Sequence, residues 1–368
     1  MNGQTGFDLH WATPEDEPEI RALVGSVAMP GAVSVRFARE PDYFLGASIM
    51  GDACDVLVAR HLPDGRLAGI ACRAERRAYV NGRETQLGYI GQIRVAPRFR
   101  GNWLVHRGAQ WFKEASAPEL LHFGVIAREN PRARQLLTGG RLPGGLHIRR
   151  VCGLTTYAIV LREQRHPRTP GVHAQPASPE QLAEVVEFLR RHGSRRQFFP
   201  AYTLPDFNGG LRMRGLAPAD IMVARREGAV AGVMAAWDQA AYKQDVVESY
   251  GPALRRLRPA YDLGARLFGV PRLTRPGQTI PLAFAACVCV VNDDLVVMRA
   301  LLAACARSAR ARGKAFLMLG LADSDPLLAA GRGTLHVTYH SDLYAAAWSS
   351  EPLSQLDGRI PYIEIAAL

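Results

Sequence analysis

One segment constrains the fold more than any other: an apolar strand that leads into a basic turn with a glycine and then into a helix. It spans residues 89–104 and reads YIGQIRVAPRFRGNWL. The first backbone N–H groups of a helix have no partner within it and lie at the positive end of its dipole. Arg98 and Arg100 add charge, and Gly101 allows an anion to approach the backbone closely. The segment therefore predicts a phosphate-binding turn between a strand and a helix.

Length and composition describe a globular chain with room for two domains, each with its own core: 368 residues, 48% of them hydrophobic. No apolar run reaches the ~20 residues of a membrane helix, and the first residues lack the regions of a signal peptide. We therefore expect a cytoplasmic protein without a membrane partner. The net charge of +11 is divided as +6 in residues 1–165 and +5 in the rest, with no basic run interleaved with aromatics. We expect no nucleic-acid partner.

The cysteines and histidines predict neither a disulfide nor a metal site. No C-x-x-C pair occurs, and no histidine stands at zinc-ligand spacing from a cysteine. His336 and His340 share one face of a predicted strand, but no third ligand is evident. Most of the cysteines lie in apolar runs, where a thiol packs as a small hydrophobe: Cys54, Cys72, Cys152, Cys287, Cys289 and Cys305.

The predicted elements occur twice in the same order. The first set is a strand near 7–11, a helix from 13, strands at 55–60, 67–74 and 85–95 joined by turns at 63–66 and 81–82, a helix at 101–115, a strand at 120–127, a helix at 131–137, and closing strands at 146–151 and 154–162. The second set is a helix at 178–191, strands at 221–225, 230–237 and 282–291, a helix at 293–312, and strands at 315–321, 334–338, 344–348 and 362–365. We therefore predict two tandem copies, at residues 1–165 and 177–368, with a linker at 166–176 and an insertion at about 239–280.

This order and two motifs resemble the GNAT (Gcn5-related N-acetyltransferase) superfamily. Residues 95–104 resemble its pyrophosphate-binding turn, Q/R-x-x-G-x-G/A, and residues 130–137 resemble the N-x-x-A-x-x-L segment of a later helix. The resemblance implies an α/β fold (an α+β mixed sheet) of two tandem GNAT-like domains. It also implies an N-acyltransferase that uses acetyl-CoA or another acyl-CoA and no metal. The CoA-binding residues it implies are Ile93, Arg94, Val95, Arg98, Phe99, Arg100, Gly101, Asn102, Trp103, Leu104, Asn130 and Arg134.

Two positions depart from the family pattern. Trp103 stands where the turn has a small residue, and Leu137 stands where many members have a tyrosine that protonates the leaving thiolate. The candidates for proton transfer are Tyr89, Gln92, His122 and Glu129, and their spacing singles out none of them. In the implied mechanism an amine attacks directly, and a backbone N–H at a bulge in the 89–95 strand stabilises the oxyanion.

The second copy has lost the phosphate-binding turn. Asp293 and Asp294 stand where the first copy has arginines; they would cap the following helix themselves and repel a pyrophosphate. We therefore expect CoA to bind the first half only, while the second half shapes the site of an amine acceptor, either a small molecule or a peptide. A homodimer is compatible with the sequence. The alternative is a non-catalytic protein that binds a CoA thioester or serves a regulatory role with the same fold.

Overall fold

A twelve-stranded mixed sheet runs through the whole molecule, flanked by helices and by a smaller three-stranded sheet. The computed structural model describes residues 6–29, 31–101, 104–139, 145–162 and 171–368. In these ranges no helix is both long and apolar enough to cross a bilayer.

In the first half the strands are β1 (Phe7–Trp11), β2 (Ala28–Met29), β3 (Val33–Ala38), β4 (Ala53–His61), β5 (Leu67–Val80), β6 (Arg83–Val95), β7 (His122–Ala127) and β8 (His147–Val160), and the helices are α1 (Glu17–Ser26), α2 (Tyr43–Ala47), α3 (Leu104–Glu114) and α4 (Pro131–Thr138). In the second half the strands are β9 (His173–Pro176), β10 (Ile221–Arg226), β11 (Ala229–Trp237), β12 (Gln244–Tyr250), β13 (Leu282–Val290), β14 (Phe316–Ala322) and β15 (His336–Ala347), and the helices are α5 (Leu182–Gly193), α6 (Leu204–Phe207), α7 (Pro252–Phe268), α8 (Leu295–Ala311) and α9 (Glu351–Ser354).

The two halves exchange their last long strands. The order across the large sheet is β1-β4-β5-β6-β7-β15-β8-β14-β13-β11-β10-β9. β15, from the second half, pairs with β7 of the first, and β8, from the first half, pairs with β14 of the second. β8 and β15 also pair with each other at the centre. Each half therefore needs a strand of the other to complete its part of the sheet.

The hydrophobic cores combine residues of both halves. The core around β13 and α8 includes Tyr79 and Tyr157, and the core around α1 includes Phe198 and Leu343. Each half therefore supplies most of one main core, and each of these cores also takes in residues of the other half. The domain division between residues 165 and 177 stays a prediction.

Local sequence signals predicted most elements. The Asn81-Gly82 turn connects β5 and β6, and both residues have the positive φ that a two-residue hairpin turn requires. One predicted strand is wrong, because residues 362–365 form no regular strand. Residues 173–176, at the end of the predicted linker, form β9. The predicted insertion contains β12 and α7, and β12 pairs with β3 of the first half.

Candidate active site

A β-bulge interrupts β6 within residues 89–95, where the resemblance to the GNAT superfamily implied one. Ile70 lies opposite Arg94 and Cys72 opposite Gly91, so Gln92 and Ile93 together face the single residue Ala71. Gln92 has a φ of 52°, in the left-handed region that a non-glycine residue rarely adopts. No side chain in the described residues hydrogen-bonds to the N–H of Gln92 or Ile93.

β6 and β7 separate just before the bulge. They are parallel neighbours that pair over two positions, with Gly88 opposite His122 and Tyr89 opposite Phe123. Beyond this level β7 has no partner among the described residues on its β6 side, while on its other side it pairs with β15 from His122 to Ala127. The bulge therefore lies at the edge of an opening between two parallel strands.

The turn after β6 begins with a short 3-10 helix at Pro97–Phe99. Phe99 is buried against Phe7, with the ring centroids 5.5 Å apart, and anchors the turn to the sheet. Gly101 has a φ of 87°, and among the described residues no atom outside its chain neighbours lies within 4 Å of the position that a Cβ would occupy. The backbone there is therefore open to a ligand on the described side. Leu104, the first residue of α3, is buried. Asn102 and Trp103 lie outside the described residues.

The two arginines of the turn are not equivalent. Arg98 Nη2 donates to Asp64 Oδ2 at 2.8 Å, and hydrogen bonds from His61 and Arg98 lower the pKa of Asp64 to about 2. Arg100 is exposed, and its Nε makes only a long 3.4 Å contact with the Val95 carbonyl oxygen. Most of the charge of Arg98 is therefore already balanced, and Arg100 remains to face a phosphate.

An apolar groove lies between α3 and the sheet, next to the bulge. The cavity within it has a volume of about 70 Å³, and the groove is partly open to solvent. Ile93, Arg94 and Val95, three of the predicted cofactor-binding residues, line it from β6. The remaining lining comes from β1, β4, β5, β6, α3, α4, Leu146 just before β8 and the segment after β15. It includes Leu137 and also Leu9, Leu57, Phe112 and Trp348, which the sequence did not single out because no local motif connects them.

The segment that resembles N-x-x-A-x-x-L forms α4. The Asn130 side chain caps it by accepting a hydrogen bond from the Ala133 N–H at 3.1 Å. Asn130 and Arg134 are both exposed. Leu137 is half-buried and contributes an apolar wall to the groove.

Tyr89 is a proton-transfer candidate whose hydroxyl lies beside the bulge. A Cβ built on Gly91 would lie 2.0 Å from the Tyr89 hydroxyl oxygen, so this hydroxyl lies beside Gly91, one residue before Gln92. The hydroxyl has no hydrogen-bond partner in the described part of the chain. Burial raises the pKa of Tyr89 well above its ordinary value, so the phenol stays protonated at neutral pH. A buried neutral phenol is a proton donor rather than a base.

Gln92 offers a different function. Its side-chain Oε1 is buried and accepts no hydrogen bond from the described residues. An unsatisfied buried acceptor costs about 1–3 kcal/mol. A ligand N–H reaching the bulge would satisfy it, so Gln92 fits a binding function and not proton transfer.

His122 and Glu129 lie away from the bulge. His122 is opposite Gly88, four residues before Gln92, or about 13 Å along the strand. It is fully buried, and burial lowers its pKa to about 4. Glu129 is exposed and lies two residues past the end of β7. In regular pairing Gln92 would face Ile126, which leaves Glu129 about 10 Å beyond the bulge.

The second half repeats the bulge but occupies it with its own side chains. Cys287 has a φ of 54°, and the bulge faces Met234 of β11. The Cys287 N–H donates to Glu364 Oε2 at 2.8 Å, and the Val288 N–H donates to the Tyr362 hydroxyl at 3.1 Å. Glu364 is buried, and no local pattern in the sequence predicts this contact because 77 residues separate it from Cys287.

The turn before α8, which corresponds to the phosphate-binding turn of the first half, is also occupied by side chains of the protein. Asp294 caps α8 by accepting hydrogen bonds from the Val296 and Val297 N–H groups, as predicted. Asp293 pairs instead with Arg196 at 2.5 Å. In the described residues no group of three or more metal-ligating side chains occurs.

Comparisons with known proteins identify structural neighbours only. No protein-family model and no curated protein sequence matches the chain. The structure of Saccharomyces cerevisiae N-myristoyltransferase with bound myristoyl-CoA aligns with a TM-score of 0.59 at 10% identity, over 94% of this chain and 83% of that one. A GCN5-related N-acetyltransferase from Sphaerobacter thermophilus aligns with a TM-score of 0.52 at 14% identity, over 98% of each chain.

A third neighbour is the GCN5-related glucosamine N-acetyltransferase region of a fungal multi-domain GH3 β-N-acetylglucosaminidase. It aligns with a TM-score of 0.59 at 13% identity, over 94% of this chain and 38% of that one. At these identities the likeness establishes the fold alone. All three neighbours are named as N-acyltransferases.

Proposed function

Because the chain has the GNAT fold in a tandem arrangement, we propose that it is an acyl-CoA-dependent N-acyltransferase whose donor site lies in the first half. The contrast between the two bulges carries this proposal. In the described residues the N–H groups of Gln92 and Ile93 donate to no side chain, whereas those of Cys287 and Val288 donate to Glu364 and Tyr362. Only the first bulge is available to a thioester carbonyl.

In the reaction we propose, an amine nitrogen of the acceptor attacks the thioester carbonyl carbon. The N–C bond forms, the C–S bond breaks, and the N–H groups of the bulge stabilise the charge that develops on the carbonyl oxygen. Tyr89 donates its phenolic proton to the departing thiolate of CoA. The proton lost by the nitrogen returns through solvent to the phenolate, so the products are an amide and free CoA thiol.

The apolar groove indicates which acyl group the CoA donor carries. Acetyl-CoA is the donor expected from the sequence, but the groove is lined almost entirely by aliphatic and aromatic side chains, which suit an apolar acyl chain. The neighbour from S. cerevisiae was solved with bound myristoyl-CoA. Both observations support a donor with an acyl chain longer than acetyl. We also propose a cytoplasmic location, which the six free cysteines support.

The test is the variant Tyr89→Phe with the matched control Tyr79→Phe, another buried tyrosine of the first half whose hydroxyl makes no hydrogen bond in the described residues. Release of CoA thiol is measured for acetyl-, octanoyl- and myristoyl-CoA with a panel of amino acids, polyamines and peptides. We expect Tyr89→Phe to lower kcat by about 10²- to 10⁴-fold with an unchanged melting temperature, and Tyr79→Phe to retain the rate. A fully active Tyr89→Phe enzyme would remove Tyr89 from the mechanism.

A second candidate is a non-catalytic protein that binds CoA thioesters. It is favoured by the absence, among the four predicted residues, of an ionised base near the bulge: Tyr89 stays protonated, Gln92 cannot titrate, and His122 and Glu129 are remote. Calorimetry with acyl-CoA separates the two candidates. Tight binding without thiol release for every amine supports the binding protein, and amine-dependent release supports the enzyme.

A further inference from the structure

Helix α7 exposes more apolar side chain than any other helix of the described chain. Leu257, Leu263, Leu267 and Phe268 are 61%, 64%, 78% and 75% exposed. Their helical spacing places them on the solvent side, whereas Ala265 on the opposite side is buried. Apolar surface left exposed on one helix face is a mark of an interaction site.

Contacts on the inner side hold the helix in this orientation. Arg258 lies over the Tyr250 ring at the end of β12, with its guanidinium carbon 5.7 Å from the ring centroid. Asp262 accepts a hydrogen bond from the Leu273 N–H at 3.1 Å, and the Tyr250 hydroxyl donates to the Thr274 carbonyl oxygen at 2.6 Å. The exposed apolar face is therefore fixed outward by the segment that follows the helix.

The same segment concentrates positive charge. Residues 251–280 contain six arginines and a single acidic residue, Asp262. Arg258 Nε lies 3.6 Å from Asp262 Oδ2, so the single acidic residue already forms an ion pair within the helix. Arg255, Arg256, Arg272 and Arg275 are exposed and make no ion pair with an acidic side chain in the described residues. The apolar face is thus bordered by unbalanced cations.

We propose that α7 lies on an anionic lipid surface, with its leucines and Phe268 in the acyl-chain boundary and its arginines on the lipid phosphates. A helix that is polar overall but has one apolar face and flanking arginines binds membranes in this way. A second copy of the chain fits less well, because it would bring two segments of like charge together. This proposal departs from the sequence-based expectation of no membrane partner and does not depend on the enzymatic function.

The test is co-sedimentation of the full chain with two kinds of vesicle, one of pure phosphatidylcholine and one of equal parts phosphatidylcholine and phosphatidylglycerol. We expect binding to the anionic vesicles, weakened by salt, and little binding to the neutral ones. The double variant Arg255→Gln/Arg256→Gln should weaken binding about 10- to 30-fold. Leu263→Glu/Leu267→Glu should abolish it, and because both leucines are exposed the melting temperature should not change.

Matched controls lie on other elements. Leu211→Glu replaces a similarly exposed leucine, and Arg299→Gln/Arg307→Gln removes two exposed arginines of α8; both should bind vesicles as the unaltered chain does. Equal binding to the two kinds of vesicle, no binding to either, or unchanged binding by the Leu263 and Leu267 variant would overturn the proposal. So would a dimer in sedimentation velocity that this variant alone converts to monomer, because the face would then be a homodimer interface.

Discussion

Replacing His122 with phenylalanine should change how the stability of the protein depends on pH. His122 is fully buried, its Nδ1 lies 3.0 Å from the Leu120 carbonyl oxygen, and its Nε2 has no partner in the described residues. Nδ1 therefore carries the proton of a neutral ring. Gly88 is required beside it, because a Cβ there would lie 2.3 Å from the His122 Cδ2. The ring has no space or partner for a second proton.

The magnitude follows from proton linkage. Burial, opposed by the hydrogen bond to Leu120, lowers the pKa of His122 to about 4, against an ordinary 6.5. At pH values between 4 and 6.5 the unfolded chain therefore binds a proton at His122, and the folded chain does not. The stability that comes from keeping His122 neutral in the folded state is complete above pH 6.5 and is lost as the pH falls toward 4. Between pH 7 and pH 5 this single group should lower the free energy of unfolding by about 2 kcal/mol.

Urea unfolding of the unaltered chain and of His122→Phe at pH 7, 6 and 5 measures this term. The difference between the two proteins should shift by about 2 kcal/mol in favour of the variant on going from pH 7 to pH 5. His173→Phe, which replaces an exposed histidine on β9, is the control and should show no such shift. A constant difference for His122→Phe would mean that the histidine titrates normally, which would restore it as a candidate base.

Four further outcomes are expected. Calorimetry should find one CoA site per chain, and two equivalent sites would contradict this. Gly101→Glu should lower the affinity for CoA at least tenfold more than Gly101→Gln does, because both variants carry the backbone strain of a positive φ and they differ only in charge. Leu137→Ala should lower stability by about 1–2 kcal/mol, because the side chain is half-buried, and leave the single-turnover rate nearly unchanged; a stable variant without turnover would refute it. Gln92→Met removes the unsatisfied acceptor, so it should leave the free energy of unfolding unchanged or raise it by about 1 kcal/mol while weakening acyl-CoA binding. Unaltered binding would exclude a contact between the ligand and the Gln92 side chain. The fragment 1–165 should be poorly soluble, because without β15 the edges of β7 and β8 are unpaired; a soluble fragment with full activity would disprove the shared architecture.

The sequence predicted the elements that depend on near neighbours. The strand, turn and helix at residues 89–104, the hairpin at Asn81-Gly82 and the cap at Asp294 all appear in the structure. Turns and caps are satisfied within three or four residues, so their signals are written in short stretches of chain. The bulge in β6 came instead from the resemblance to the GNAT superfamily.

The tertiary structure alone decided how these elements combine. Exchange of β8 and β15, pairing of β12 with β3, and the contact of Glu364 with the second bulge join residues far apart in the chain. The apolar groove is likewise assembled from Leu9 to Trp348. Such contacts depend on which packing of the whole chain buries the most apolar surface and satisfies the most buried polar groups, and short stretches of sequence carry no record of that choice.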